Sequence, residues 1–415
     1  MGRLPIRARL ATGIGGAAGK MSRLAGRGEG SVIGGVIGLL VEPELLSLLA
    51  DDREVVLVTG TNGKTTTTRL ITAALGALGQ PVASNAFGAN MEAGLAAALG
   101  QAPDAPLAVL EVDEKYIPAV LTATQARVVT LLNLSRDQMD RAAEIWLVAR
   151  RWREAFTVAP YCRVVANADD PLIAWAAGSA ANISWVAAGQ RWHEDSWCCP
   201  RCGSHLSRDQ LGWRCAECEF ARPQPRWTLD GEAVIDPAGR TWDLSLALPG
   251  RANRSNAVIA LAVAEAFGVD PAQAIPRLRE VTSVAGRYTQ VEWGGCQLRL
   301  LLAKNPAGWA GMASMLIEPR PLLVIINARE ADGRDTSWLW DVAFEQFTCR
   351  HVVASGERAA DLGVRLSYAG LNHKTVPDPL AALAALPDGE IDVVANYTAF
   401  HQFRRRLSRE REAIR

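Results

Sequence analysis

Lys64 and the threonines behind it, Thr65 and Thr66, follow a Gly/Asn/Gly turn in the string EVVLVTGTNGKTTTT, Glu54 to Thr68. A β-branched apolar run precedes the turn, and a helical pattern continues to about Gly79. Strand, small-residue loop, Lys-Thr and helix make a cradle for phosphate. The loop N–H groups and the helix N-terminus point at anionic oxygens, the lysine adds a point charge, and a threonine hydroxyl can hold Mg²⁺. Gly60, Thr61, Asn62, Gly63, Lys64, Thr65 and Thr66 are the expected nucleotide contacts. Val58 stands where the common G-x-x-x-x-G-K-S/T pattern has its first glycine, and Gly60 comes two residues later. The expected ligand is a nucleoside triphosphate, ATP.

A second constellation lies in WCCPRCGSHLSRDQLGWRCAECEF, Trp197 to Phe220. Cys199 and Cys202 form one C-x-x-C, and Cys215 and Cys218 form another, after twelve intervening residues. Two such knuckles give four thiolates in the tetrahedral arrangement that zinc favours, and four thiolates leave no open position for catalysis. A structural Zn²⁺ ribbon is therefore expected, with a redox dithiol as the alternative. Cys198 could replace Cys199, but the C-P-x-C-G spacing favours Cys199. Cys162, Cys296 and Cys349 are isolated and read as ordinary thiols, and His193 and His205 as polar surface residues.

These groups need elements to hold them. The chain has 415 residues, enough for roughly two to three domains. Lys plus Arg equal Asp plus Glu at 44 each, which argues against a nucleic-acid binder. No run of about 18 apolar residues is present, so no transmembrane segment is expected. The first 50 residues form a basic, Gly-rich segment, with Arg3, Arg7, Arg9, Lys20, Arg23 and Arg27 ahead of the first acid, Glu29. A helix packed on the next domain is the preferred reading there, and contact with an anionic membrane surface the alternative. The protein is read as cytoplasmic, with peripheral attachment at the inner membrane face left open.

Further strands are expected at 107–112, 127–134 and 163–166, ending in Glu111-Asp113-Glu114, Ser135-Arg136-Asp137-Gln138 and Asn167 to Pro171. Polar residues at strand tips with helices between describe an α/β doubly wound parallel sheet, its site at the tips. An antiparallel patch at 226–248 and a helix at 253–267 follow. Beyond a hinge at Gly286-Arg287, strands at 298–302, 322–326, 351–354 and 391–395 describe a second, smaller α/β domain. The expected division is 1–50, 51–285 with the ribbon inserted at 196–222, and 286–415.

TGTNGKTTTT, SNAFGANM, LEVDE, NLSRDQMDR, NADDP and GRANRSN together resemble the central domain of the Mur ligases. These are ATP-dependent amide-bond formers of peptidoglycan synthesis, related to folylpolyglutamate synthases. The inserted ribbon, KNPAG, ADGRDTSWLWD and NYT are similar to the branch that amidates the lipid II stem peptide. That resemblance implies phosphorylation of the D-glutamate α-carboxyl by ATP with Mg²⁺, then attack by ammonia from a separate glutaminase subunit. No Cys/His constellation in this chain reads as a glutaminase of its own.

The resemblance also implies roles. Glu111 matches the metal-coordinating acid, Asn253 a nucleotide contact, and Arg287 a phosphate contact; Asn90 and Asp137 are secondary candidates. Asp335, second acid of DGRD, is implied to orient the partner's catalytic histidine, against the plain alternative of an Asx turn. Leu301 and Lys304 replace the Asp and His of the Mur ligase C-terminal string. Asn327-Ala328-Arg329-Glu330 departs from the branch's Asn-Asp-Asn. Gln138 stands where most Mur ligases have His, as in that branch. Two competing readings are a ligase adding an amino acid unaided and a non-catalytic ATP-binding scaffold.

Overall fold

The structure, a computed structural model, describes residues 4–24, 31–85, 89–136, 144–190, 192–284, 287–313, 315–316, 320–347 and 351–413. The chain divides into two compact units. The first comprises Met1–Leu134, Glu144–Leu248 and Asn253–Thr282; the second comprises Ser135–Ala143, Pro249–Ala252 and Ser283–Arg415.

The strands of the first unit are β1 (Glu54–Thr59), β2 (Val82–Ser84), β3 (Leu107–Glu111), β4 (Val128–Leu131), β5 (Arg163–Asn167), β6 (Asn182–Ala187), β7 (Leu206–Asp209), β8 (Gly212–Cys215), β9 (Trp227–Asp230), β10 (Ala233–Ile235) and β11 (Thr241–Asp243). Nine of them build one sheet in the order β11-β10-β9-β6-β5-β4-β1-β3-β2 among the described residues. From β2 to β9 every pairing is parallel, and β9, β10 and β11 form an antiparallel meander at one end. β3 and β4 are buried throughout and β1 is buried from Val55 onward. Helices on both faces explain why these strands read as unbroken β-branched and aliphatic runs. Helices Lys64–Leu75, Glu92–Gln101 and Ile117–Thr124 alternate with the first strands.

One of the departures from the expected strands follows local chemistry. β6, NISWVA, was not anticipated, because a small-residue stretch runs straight into it. It becomes a strand by pairing with β5 on one side and β9 on the other. The segment from β6 to β9 carries the β7–β8 hairpin, so the four-cysteine insertion is itself the crossover between two parallel neighbours.

The N-terminal residues belong to this first unit. Helices Ile6–Leu24 and Ser31–Val41 pack together, and the second also packs on Glu92–Gln101. Glycine permits that approach: a Cβ on Gly35 would lie 1.7 Å from the Ala93 carbonyl oxygen.

The second unit holds β12 (Tyr288–Trp293), β13 (Cys296–Leu302), β14 (Leu322–Ile325), β15 (Val352–Ser355), β16 (His373–Thr375) and β17 (Glu390–Ala395). Their order is β12-β13-β17-β14-β15-β16, parallel except for the edge strand β12. The last helix, Tyr397–Ala413, buries Phe400, Phe403 and Leu407 against this sheet, while Arg405, Arg406 and Arg409 stay exposed. The charged C-terminal run is thus a solvated helix face.

Candidate functional site

The turn after β1 is built from backbone constraints first. Gly60 has φ +137°, and a Cβ there would lie 2.9 Å from both N and O of Asn133. Gly63, at φ +90°, starts helix Lys64–Leu75, with the Asn256 Oδ1 2.8 Å from where a Cβ would be. Only glycine meets both demands, a left-handed backbone and a close neighbour. Asn133 clamps the loop: its Oδ1 accepts from Asn62 N at 3.0 Å, its Nδ2 donates to Asn62 O at 3.0 Å, and its carbonyl accepts from Thr61 N at 2.9 Å.

Lys64 is buried at 5% exposure and folds back over the loop. Its Nζ donates to Gly60 O at 2.6 Å and to Glu114 Oε1 at 2.8 Å. Thr65 Oγ1 donates to Glu111 Oε2 at 2.8 Å. The tip of β3 therefore supplies two carboxylates to consecutive residues of the cradle. Asn85 fixes that tip, accepting from Glu111 N at 2.7 Å and donating to Glu111 O at 2.7 Å. A hydroxyl and a carboxylate oxygen side by side are the hard donors that Mg²⁺ takes.

Sequence reasoning placed Gly60 to Thr66 and Glu111 together, and the structure brings them together. It missed Glu114, Asn85, Asn133 and Asn256. Asn253 lies one turn before Asn256 on the helix Arg251–Ala266 and is half-buried. Asn90 lies at the same tip, its carbonyl accepting from Asp113 N. Asp137 and Gln138 fall outside the described residues, as do Gly286 and Cys349.

In the ribbon, the Sγ atoms of Cys199, Cys202, Cys215 and Cys218 all lie within 4.8 Å of one another. Cys202 and Cys215 are 3.4 Å apart, and Cys199 and Cys218 are 3.8 Å apart. Thiolates about 2.3 Å from a tetrahedral zinc sit roughly 3.8 Å apart, so the donor set fits a closed metal site. Cys198 is not part of the cluster. Trp213 anchors the ribbon by donating from Nε1 to Ala168 O at 3.0 Å, and Arg222 pairs with Asp169 at 2.7 Å. Asp170 next door caps helix Pro171–Ala177 and accepts from Leu134 N at 2.8 Å. Burial nevertheless pushes its carboxyl upward from the ordinary Asp range. Cys162 is an inert thiol, pushed up to about 12 by burial.

The second unit has a polar cluster of its own at the tips of β14, β15 and β17. Asn327 N donates to Asn396 Oδ1 at 3.1 Å, and Asn396 Nδ2 donates to Asn327 O at 2.6 Å. Asp332 accepts from Thr398 N at 2.8 Å and from the Thr398 hydroxyl. ADGRD and NYT, distant in sequence, are thus one structure. Arg329 is paired with Glu357 at the same tip. Asp335 is exposed and accepts from Ser337 N at 2.8 Å and Ser337 Oγ at 2.9 Å. Those hydrogen bonds hold its carboxyl below the usual Asp range. The Asx-turn geometry is present, and the carboxylate it displays is ionised and outward. Arg287 is half-buried beside β12; its carbonyl accepts from Leu302 N.

A Mur ligase middle domain matches residues 58–264, and a MurT ligase C-terminal domain matches residues 302–400. The fold is that of a pseudomurein peptide ligase type C from Methanothermus fervidus, with TM-score 0.69 and 20% identity over 86% of this chain and 79% of that one. Fold and cradle together define the class, an α/β protein of Mur ligase architecture. Two relatives are narrower. The Staphylococcus aureus (strain COL) protein named lipid II isoglutaminyl synthase (glutamine-hydrolyzing) subunit MurT is 30% identical, over 95% of this chain and 96% of its own length. The Streptococcus pneumoniae (strain ATCC BAA-255 / R6) protein of the same name is 30% identical, over 98% and 99%. The chain belongs to the MurT family.

Proposed function

We propose that this chain is the ATP-dependent synthetase subunit of a lipid II isoglutaminyl synthase. It converts the α-carboxylate of D-glutamate in the stem peptide to a carboxamide. The observation that carries this reading is the Gly60–Thr66 cradle, with Lys64 and Thr65 each tied to a β3-tip carboxylate. It sits in a chain of which 95% and 98% align with two MurT proteins.

The α-carboxylate oxygen attacks the γ-phosphorus of ATP, and the bond to the departing ADP oxygen breaks. Ammonia then adds its lone pair to the acyl carbon and gives up a proton, and phosphate leaves with the electrons of the C–O bond. Lys64 is placed to neutralise phosphoryl oxygens, exchanging Glu114 for the nucleotide. The loop N–H groups orient the phosphates, so rate comes from position and charge rather than covalent chemistry. Thr65 and Glu111 would hold Mg²⁺, which screens phosphate charge when bound. Asn253 and Arg287 are proposed nucleotide contacts. Cys199, Cys202, Cys215 and Cys218 are proposed ligands of one structural Zn²⁺.

The word "subunit" in the relatives' name supports a partner complex. The proposed partner is a GatD-type glutaminase that supplies ammonia. Asp335 is proposed to reach its catalytic histidine, fixing the tautomer and stabilising the imidazolium. No described helix is long and apolar enough to cross a membrane. The proposed location is the cytoplasm, at the inner membrane face, where a lipid-linked acceptor is presented.

The test is direct. Purified chain is incubated with lipid II, ATP, Mg²⁺ and ammonium, and mass spectrometry follows carboxylate-to-carboxamide exchange on the second stem residue. Exchange is expected. Its absence while ATP still binds would overturn the reading in favour of another acceptor or a scaffold.

A further inference from the structure

Helix Ile6–Leu24 buries Ala8, Ala11 and Gly15 toward its neighbours, at spacings of three and four. Its opposite side exposes Ile6 (77%), Leu10, Ile14 and Met21. At 3.6 residues per turn these four fall on one stripe, with Arg9 and Lys20 along one edge and Arg7 along the other. All three cations are exposed. The packed neighbour, Ser31–Val41, turns Gly34, Gly35 and Gly38 inward and exposes Val32, Ile33, Val36 and Leu40 (76%). Of the twenty exposed large apolar side chains among the described residues, eight lie on these two helices. Isolated apolar residues on a surface mean little; a contiguous set flanked by charge marks an interaction surface.

We propose that the outward face of this helix pair is a membrane-docking surface that lies in the plane of an anionic phospholipid layer. The purpose of such a surface rests on the lipid-linked acceptor proposed above. Charge chooses the occupant. No acid occurs in the first 28 residues, and the nearest ion pair, Arg7 with Glu42 at 3.7 Å, leaves Arg7 exposed. A second copy of this face would set cations against cations, which opposes a symmetric dimer. Anionic headgroups instead meet the flanking Arg and Lys while the apolar stripe enters the acyl boundary. The neighbouring helix has no charged residue to desolvate.

The experiment is flotation of the full-length chain with phosphatidylcholine vesicles, with or without phosphatidylglycerol at about a third of the lipid. Wild type floats with the anionic vesicles, and salt weakens the association. Leu10→Ser with Leu40→Ser loses at least about tenfold in partition, since each removes an inserted apolar side chain. Arg9→Gln with Lys20→Gln loses roughly fivefold per cation on anionic vesicles and nothing on neutral ones. All four residues are exposed, so melting temperatures should match wild type. No flotation, or flotation indifferent to both variants, overturns the proposal. A concentration-dependent dimer abolished by Leu10→Ser with Leu40→Ser overturns it in favour of a second copy. A lipid-free stem-peptide acceptor, assayed in parallel, separates the two claims: its amidation depends on the catalytic reading alone, and flotation on the docking face alone.

Discussion

Replacing Glu114 by Gln isolates what the Lys64–Glu114 pair does before nucleotide arrives. The two side chains are 6% and 18% exposed and 2.8 Å apart. At an effective dielectric of about 20 their attraction is roughly 6 kcal/mol before desolvation is subtracted. Breaking a buried pair from one side costs about 3–5 kcal/mol. Glutamine keeps an acceptor oxygen and Glu114 is not fully buried, so about 2–3 kcal/mol is expected. In a unit of this size that lowers the melting temperature by roughly 5–10 °C. With saturating Mg-ATP the phosphates take over the ammonium, and the deficit should shrink below about 1 kcal/mol. By linkage the variant must then bind nucleotide more tightly, by about fivefold or more. Thermal unfolding with and without a non-hydrolysable ATP analogue, alongside a titration of the analogue, reads both. An equal deficit in both states, or weaker binding by the variant, would refute the idea that Glu114 holds the place of phosphate.

Metal analysis should find one zinc per chain, lost in Cys202→Ser and Cys215→Ser; structural zinc sites contribute about 10–16 kcal/mol in isolated fingers, so both variants should melt earlier. Asp335→Asn should leave ammonium-driven amidation within about twofold. It should cut the glutamine-driven reaction of the two-subunit complex by about 10³–10⁴, the scale of losing a triad carboxylate, as coupled assays with each nitrogen donor would show. Asp332→Ala frees Thr398 and the Arg329 N–H and should cost about 1–3 kcal/mol in urea unfolding, because a buried acceptor is removed from three donors. His401 is held below the ordinary imidazole range by burial, then by Arg404, Arg405 and Arg287. A depressed folded pKa means its contribution is intact above the unfolded value of about 6.5 and is lost as pH falls through the folded one. His401→Gln should therefore flatten the fall in urea midpoint between pH 7.5 and 5.5 relative to wild type.

The parts legible in the sequence are those whose information is local. A glycine turn between a β-branched run and a helix can be read directly, and so can two C-x-x-C knuckles. The ADGRD and NYT strings stood out as well, but nothing in their spacing said that Asp332 would hold Thr398. Glu114 was hidden among three acids at one strand end. A turn over Glu114–Tyr116, capped by the Asp113 side chain, decides which acid turns back to Lys64. Asn133 and Asn256 act on the phosphate loop from just past β4 and from a later helix, through contacts that no linear pattern carries. β12, although its exposure alternates, and the three-residue β16 went unread because edge strands are defined by the neighbour they find.

The four-cysteine insertion stands where parallel sheets ordinarily place a helix, between β6 and its neighbour β9. A crossover helix is held by packing its apolar face on the sheet; a thiolate hairpin this short would instead be closed by the proposed Zn²⁺. Until then β6 would be an unpaired edge, with β9 to β11 unable to register against it. With the proposed Zn²⁺ at those thiolates, ion supply would become a checkpoint in the maturation of this sheet. A cell short of that ion would accumulate chains with a competent phosphate loop and an adhesive flank, prone to pair with one another rather than to finish folding.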